Sequence, residues 1–215
     1  MKQLFKYPRT SHLPYSPGTH SDDRLLKDVE HLMGLEVIVT EKMDGENTSM
    51  YSDHIHARSM DSIDHPSRHF VKGVWGGIRH MIPEGWRVCG ENLFAKHSIF
   101  YDNLESYFQV YSIWNNDNMA LSWIDTEKMC KDLGLKTVPV LHTPFIFDKV
   151  TNSVLKLHGD NLNTNKMEGF VIRNTKSFHY QDFDVNVAKW VRAKHVQTSD
   201  HWMSQKIIPN KLKKL

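Results

Sequence analysis

Residues 35–42, LEVIVTEK, alternate with period two, which is the signature of a β-strand with two distinct faces. Ile38, Thr40 and Lys42 share one face, and Val37, Val39 and Glu41 share the other. Lys42 therefore ends a row of otherwise uncharged side chains. Gly45 follows where the chain must turn back closely before NTSMY starts a second strand. A chain built from such runs has to pair them in sheets.

The same period returns in HIHARS, GWRVCGENL, YFQVYSIW, MEGFVIRN and DVNVAKWVRAK, with Ser52 and Asp53 as a short turn before the first of these. Helices are expected between them. SDDRLLKDVEHLMG (21–34) has Ser21 as a cap, Asp22 and Asp23 in the first turn, a stripe of Leu25, Val29, Leu32 and Met33, and Gly34 at the exit. PSRHFVKGVWGGIRHMI spaces Phe70, Val74 and Ile78 helically, and DTEKMCKDLG is a short helix closed by Gly134. Helices inserted among hairpins predict an α+β fold with two largely antiparallel β-sheets, flanking helices and a cleft, not a doubly wound parallel sheet.

The 215 residues suffice for one domain with a sizeable core. Within residues 1–215 the expectation is an irregular opening plus helix (1–34), a core bearing the polar strand ends (35–195) and an extension (196–215). No stretch is long and apolar enough for a membrane span, and the first residues carry no signal-peptide core. Cys89 and Cys130 alone make no disulfide framework, which fits a reducing, cytoplasmic setting. A net charge of +2 is too weak to predict nucleic-acid binding from bulk charge, although a local basic groove or the tail IIPNKLKKL can still meet phosphate.

Familiar catalytic motifs are missing: no phosphate loop, no GxGxxG after a strand, no HExxH, no paired CxxC and no GxSxG elbow. His54 and His56 share a strand face, but two histidines without a third ligand do not make a metal site. Charged residues at strand ends remain. Lys189 falls in a row with Val185, Val187 and Val191, where an ammonium loses solvation unless it meets an anion. Glu168 shares a face with Phe170 and Ile172, and Glu91 ends a strand beside Gly90. Each alone reads as a rim charge; two lysines and two glutamates at strand termini suit a cleft that handles a polyanion.

The order of these residues resembles the covalent nucleotidyltransferases, that is, ATP-dependent RNA and DNA ligases and capping guanylyltransferases, and most of all the phage-type RNA ligases. EKMDGEN resembles the nucleophile motif KxDG with Lys42 as the nucleophile. ARS resembles the next motif, with Arg58 on sugar or phosphate. GENLFAKHSIFYDNL, YFQVYSIW, MEGFVIR and VAKWVRAK follow in the family's order, and the likeness spans roughly residues 35–195. It implies a ligase adenylyltransferase fold without a separate C-terminal OB-type domain. It further implies ATP as substrate, Mg²⁺ or Mn²⁺ as cofactor, and RNA, or DNA, ends with 5′-phosphate and 3′-hydroxyl as partners of a monomeric enzyme.

Carried over residue by residue, the resemblance makes Lys42 and Lys189 catalytic. Glu41, Asn47, Arg58 and Glu91 contact the nucleotide, with Asn47 on phosphate and Glu91 on ribose. Tyr111 stacks on the base, with Phe108 as second choice, and Glu168 holds the metal, directly or through water. Asp44 orients the Lys42 turn. Arg173, Lys176, Arg192 and Lys194 are candidates for contact with the polynucleotide strand. His195, Gln197 and His201 are further candidates, beside Trp202 and Met203, which suit packing. The pattern departs from the family at Tyr111-Ser112, where phenylalanine-aspartate is usual, and at Val191, where a second lysine is usual. Arg192 can replace that lysine only if the strand bends or ends, because its parity is wrong.

The implied reaction has three steps: lysine attacks the α-phosphorus of ATP, AMP passes to a 5′-phosphate, and a 3′-hydroxyl displaces AMP. A free lysine is almost wholly protonated at neutral pH, so Lys42 is expected to have its pKa lowered by burial or by neighbouring cations. A DNA ligase, a capping-type guanylyltransferase and a non-catalytic nucleotide- or end-binding protein are the alternatives.

Overall fold

The computed structural model describes residues 4–60, 64–193 and 206–214. Strands β1 (Ser11–His12), β2 (Glu36–Lys42), β3 (Glu46–Met50), β4 (Ile55–Ala57) and β5 (Arg87–Asn92) form the first half, with helix α1 (His69–Ile78) between β4 and β5. Next come β6 (Phe108–Trp114), β7 (Met119–Ala120), helix α2 (Trp123–Asp132), β8 (Lys136–Thr137), β9 (Val140–Ile146) and helix α3 (Lys149–Asp160). The chain then forms β10 (Gly169–Asn174), β11 (Phe178–His179), the short helix α4 (Phe183–Asn186) and β12 (Val187–Val191).

The strands form two sheets among the described residues. One runs β1-β12-β10-β2-β9; the other runs β11-β7-β6-β5-β3-β4, with β8 on β6. Pairing is antiparallel except for β1 with β12 and β6 with β8. The expected α+β architecture with two largely antiparallel sheets is therefore the observed one. No helix of the described residues is long and apolar enough to cross a membrane.

Alternation decides which face of the five-stranded sheet meets the core. Val37, Val39, Phe170, Ile172, Ala188 and Trp190 pack with Leu13, Leu32, Phe147 and Leu155 of the flanking segments. Behind the other sheet, Met50, Val88, Phe108, Val110 and Ile113 pack against Val71 of α1 and Cys130 of α2. Each sheet thus buries one face under helices and turns the other toward the cleft.

Residues 21–34 are not the expected helix; only Glu30–Leu32 make a 3-10 turn. Tertiary hydrogen bonds compete successfully for this backbone. His12 N–H donates to the Arg24 carbonyl at 2.7 Å, and Leu26 N–H donates to the His12 carbonyl at 2.9 Å. Gly34 does mark the exit, at φ +79°. Val185 lies in α4 and is exposed, so it is not part of the valine row with Lys189. On α1 the buried residue is Val71, and Phe70 is partly exposed and packs against Phe94 and Tyr107.

Gly169 opens β10 opposite Lys42 on one side and Val191 on the other. A Cβ there would lie 1.9 Å from the Trp190 carbonyl oxygen, so the backbones of β10 and β12 approach as only glycine permits. Gly169→Ala is expected to lower the thermal unfolding midpoint by roughly 5 °C or more. A melt matching the wild type would show that the strands can part there without cost.

Candidate active site

The cleft is assembled from two sets of alternating residues. On β2, β10 and β12 the residues opposite the core face are Thr40, Lys42, Val171, Arg173, Val187 and Lys189, and all six line one cavity. Register places Lys42 beside Gly169, and Val171 between Thr40 and Lys189. On the other sheet Asn47 pairs with Glu91, and both line the same cavity. The cavity measures 230 Å³.

Tyr111 lines this cavity by alternation from Val110, and a β-bulge sits at the same point. Cys89 pairs with Ser112 and Gly90 with Val110, which leaves Tyr111 as the extra residue. Phe108 and Val110 face the helices and Tyr111 the cleft side by simple alternation, and the bulge then shifts the parity so that Ile113 returns to the helices and Trp114 to the cleft side. Asn47 Nδ2 donates to the Tyr111 hydroxyl and fixes its outer end. Phe108, the second choice for stacking, is fully buried in the core and cannot serve.

Lys42 Nζ is paired with Glu168 Oε2. Glu168 lies one residue before β10, so strand parity does not govern it. Its carboxylate turns to the cleft while Phe170 and Ile172 enter the core, contrary to the expected shared face. Burial alone would lower the Lys42 pKa, but Glu168 and then Glu91 outweigh it and hold the amine above the ordinary lysine range. That reverses the sequence expectation: without ligand, the carboxylates keep Lys42 charged. The Lys189 pKa is lowered by burial and by the Lys42 charge, with Asp23 Oδ1 3.9 Å from its amine.

Glu91 Oε1 accepts a hydrogen bond from Gly45 N–H at 3.2 Å, and burial followed by the nearby Glu168 pushes its pKa up to about 8. The turn itself hangs on Asp44. Its Oδ2 accepts from Ser98 N–H at 2.8 Å, Ser98 Oγ at 2.7 Å and Ile99 N–H at 2.8 Å, and its own N–H donates to the Tyr101 hydroxyl at 2.9 Å. At Gly45 a Cβ would meet the Asn92 carbonyl oxygen at 2.5 Å, so the turn can press against β5 only as glycine.

Arg58 follows β4, is exposed and lines the cavity, as does Glu41. Arg173 is 4% exposed, with its guanidinium on the Tyr111 carbonyl at 3.1 Å and on the Leu121 carbonyl. It is a wall of the cavity and does not present a cation to a strand passing outside. Lys176 is exposed. Arg192 lies just past the end of β12 and is 5% exposed, with its N–H on the Glu168 carbonyl at 2.9 Å and Nη2 on Ser98 Oγ at 3.2 Å. The strand ends at Val191, so parity no longer applies, and Arg192 is buried between the Glu168 and Asp44 segments instead of meeting solvent. Lys194, His195, Gln197, His201, Trp202 and Met203 lie outside the described residues.

Sequence reasoning missed Tyr7, Pro8, Thr10, Trp123 and Val138, which also line the cavity, and Asp23 beside Lys189. Periodicity carries no trace of them because they come from irregular chain or from element ends. His54 and His56 have rings 5.7 Å apart, and among the described residues no group of three or more His, Cys, Asp or Glu is placed to hold a metal. Glu168 and Glu91 are hard oxygen donors beside Lys42, a set that fits a hydrated Mg²⁺ or Mn²⁺, which needs only one or two carboxylates plus water.

A family model described as RNA ligase matches residues 35–191. The chain belongs to the RNA ligase family. Solved structures share the fold of this RNA ligase family member at low identity. An archaeal ATP-dependent RNA ligase superposes with TM-score 0.58 at 15% identity, over 88% of this chain and 48% of that one. A mutant Naegleria gruberi RNA ligase with ATP and Mn gives 0.51 at 19%, over 76% and 52%. A putative ATP-dependent DNA ligase from Aquifex aeolicus gives 0.55 at 16%, over 88% and 50%. The chain thus spans about half the length of these structures. No curated protein sequence matches it.

Glu41 supplies a pH test. Burial raises its pKa from 4.5 to about 7, so the folded protein holds that proton more tightly than the unfolded chain. The associated stability is present below the unfolded value and is lost as pH rises through the folded one. Glu41→Gln, which stays neutral, should gain thermal stability relative to wild type as pH goes from about 5 to about 8. A difference that stays constant across that range would refute the assignment.

Proposed function

We propose that this chain is the nucleotidyl-transferring portion of an ATP-dependent polynucleotide ligase that joins RNA ends through a lysyl-AMP intermediate on Lys42. The carrying observation is the paired Lys42 and Glu168 at a cavity that also holds Lys189, Arg58, Glu91 and Tyr111. Membership of the RNA ligase family supports the same reading.

ATP is a substrate in this scheme. In the first step a bond forms between Lys42 Nζ and the α-phosphorus, the bond to pyrophosphate breaks, and the amine gives up a proton. AMP then passes to the 5′-phosphate of an RNA end, and a 3′-hydroxyl displaces it. Because Glu168 and Glu91 hold Lys42 charged, the amine must lose that grip before it attacks. A divalent cation on the Glu168 side would supply positive charge to offset phosphate oxygens. Lys189 and Arg58 line the cavity as the cations for phosphate oxygens, and Glu91 offers an acceptor for a ribose hydroxyl. Tyr111 provides a flat face for the base.

Transfer of label from α-labelled ATP to the protein tests the scheme directly. Wild type should take the label from ATP and not from GTP, and Lys42→Ala should take none. Lys189→Ala should slow transfer roughly hundredfold, the usual scale for removing one preplaced charge-stabilising group. Persistent labelling of Lys42→Ala removes Lys42 as nucleophile, and preferential labelling by GTP replaces the ligase with a capping-type enzyme. Sealing of 5′-phosphorylated RNA in preference to nicked DNA is the expected outcome of a second assay; the opposite preference makes the substrate DNA.

A further inference from the structure

The opening segment crosses the cleft and is tied to both walls. At one end Phe5 N–H donates to the Tyr51 hydroxyl at 3.0 Å, and the Tyr180 hydroxyl donates to the Lys6 carbonyl at 2.8 Å. Tyr51 follows β3 and Tyr180 follows β11, both in the seven-stranded sheet. At the other end β1 lies along β12 of the five-stranded sheet, with His12 opposite Lys189. Leu13 N–H donates to the Lys189 carbonyl at 2.8 Å, and Gly18 N–H to the Val191 carbonyl at 2.9 Å. Between these anchors Tyr7, Pro8 and Thr10 line the cavity that holds Lys42.

Tyr7 touches the residues that would receive a base. Its ring meets Tyr111 at 4.9 Å between centroids and 64° between planes, and meets Phe183 at 5.4 Å and 83°. It packs in the same apolar cluster as Val171 of the facing sheet. Edge-to-face rings in contact fix one another's orientation, so Tyr111 cannot swing without disturbing Tyr7. Arg173 shares this cavity and packs over Phe178 of the same cluster, and its buried Nε–H has no hydrogen-bond partner among the described residues. A buried donor left unpaired is costly, and an acceptor on a bound base would satisfy it. Adenine presents an acceptor at N1, where guanine presents a donor.

We infer that Tyr7 is a specificity-determining residue of the nucleotide pocket, closing its base end against Tyr111 so that adenine is held and guanine refused beside Arg173 Nε. The inference rests on the nucleotide reading given under Proposed function.

Calorimetric titration with ATP and, separately, with GTP measures both affinities without requiring any reaction. Tyr7→Ala should weaken ATP binding about tenfold while changing GTP binding by less than about threefold, so that the preference for ATP shrinks. Tyr7→Leu keeps much of the apolar bulk without the ring and should show the same loss, which covers the case in which Tyr7→Ala does not fold. Tyr7→Phe keeps the ring and should recover both the affinity and the preference. Unchanged ATP affinity in the first two variants overturns the inference. So does an equal loss for ATP and GTP, which is what a purely structural role would give. Wild type that binds ATP but never labels Lys42 sinks the ligase reading and leaves the Tyr7 comparison intact; wild type that binds neither nucleotide sinks both.

Discussion

The ion pair between Lys42 and Glu168 is what the rest of the cleft is arranged around. An exposed pair contributes under about 1 kcal/mol. Here the side chains are 25% and 7% exposed, so neither charge has free recourse to water. In that setting, removing one partner strands the other, at a cost of roughly 3–5 kcal/mol. The pair forms because β2 and β10 are neighbours in register, with Gly169 opposite Lys42 and Glu168 one residue outside the ladder. Its surroundings hold it from each side: Arg192 N–H on the Glu168 carbonyl, Gly45 N–H on Glu91, and the Ser98 and Ile99 amides on Asp44.

The pair also sets the chemical problem of the site. Carboxylates keep Lys42 protonated, whereas a lysine nucleophile must be neutral at the moment of attack. A resting state of this kind protects the amine from adventitious electrophiles. In the proposed reaction, attack by Lys42 would depend on something that draws Glu168 away or opposes its charge. Lys189, partly buried and already lowered in pKa, lies on the same sheet face and repels the Lys42 ammonium. The two lysines therefore differ in electrostatic setting, one raised in pKa by its carboxylates and the other lowered by burial.

Much of this was legible from alternation. The strands carrying Lys42, Glu91, Tyr111 and Lys189 are where period two puts them, and Thr40 and Val187 share the cleft face with their lysines. The failures share a cause: each lies where local pattern yields to tertiary contact. Residues 21–34 have helical spacing, but their backbone groups are taken by the opening segment. Glu168 and Arg192 sit just outside their strands, where parity has no force. Ile113 and Trp114 exchange faces because of one extra residue in β6, invisible without its partner strand. The Tyr7 segment has no periodicity at all, and its position follows from hydrogen bonds to residues more than forty positions distant.

Asn210 has a wider reach than its place near the end of the chain suggests. It is 1% exposed, and its Oδ1 accepts from Tyr101 N–H at 2.9 Å while its Nδ2 donates to the Leu93 carbonyl at 2.8 Å. Tyr101 in turn presents its hydroxyl to the Asp44 amide. One aromatic residue thus clasps the tail with its main chain and the turn after Lys42 with its side chain. Fraying of the tail and loosening of the turn then belong to one cooperative opening, so ordering either should raise hydrogen-exchange protection in the other.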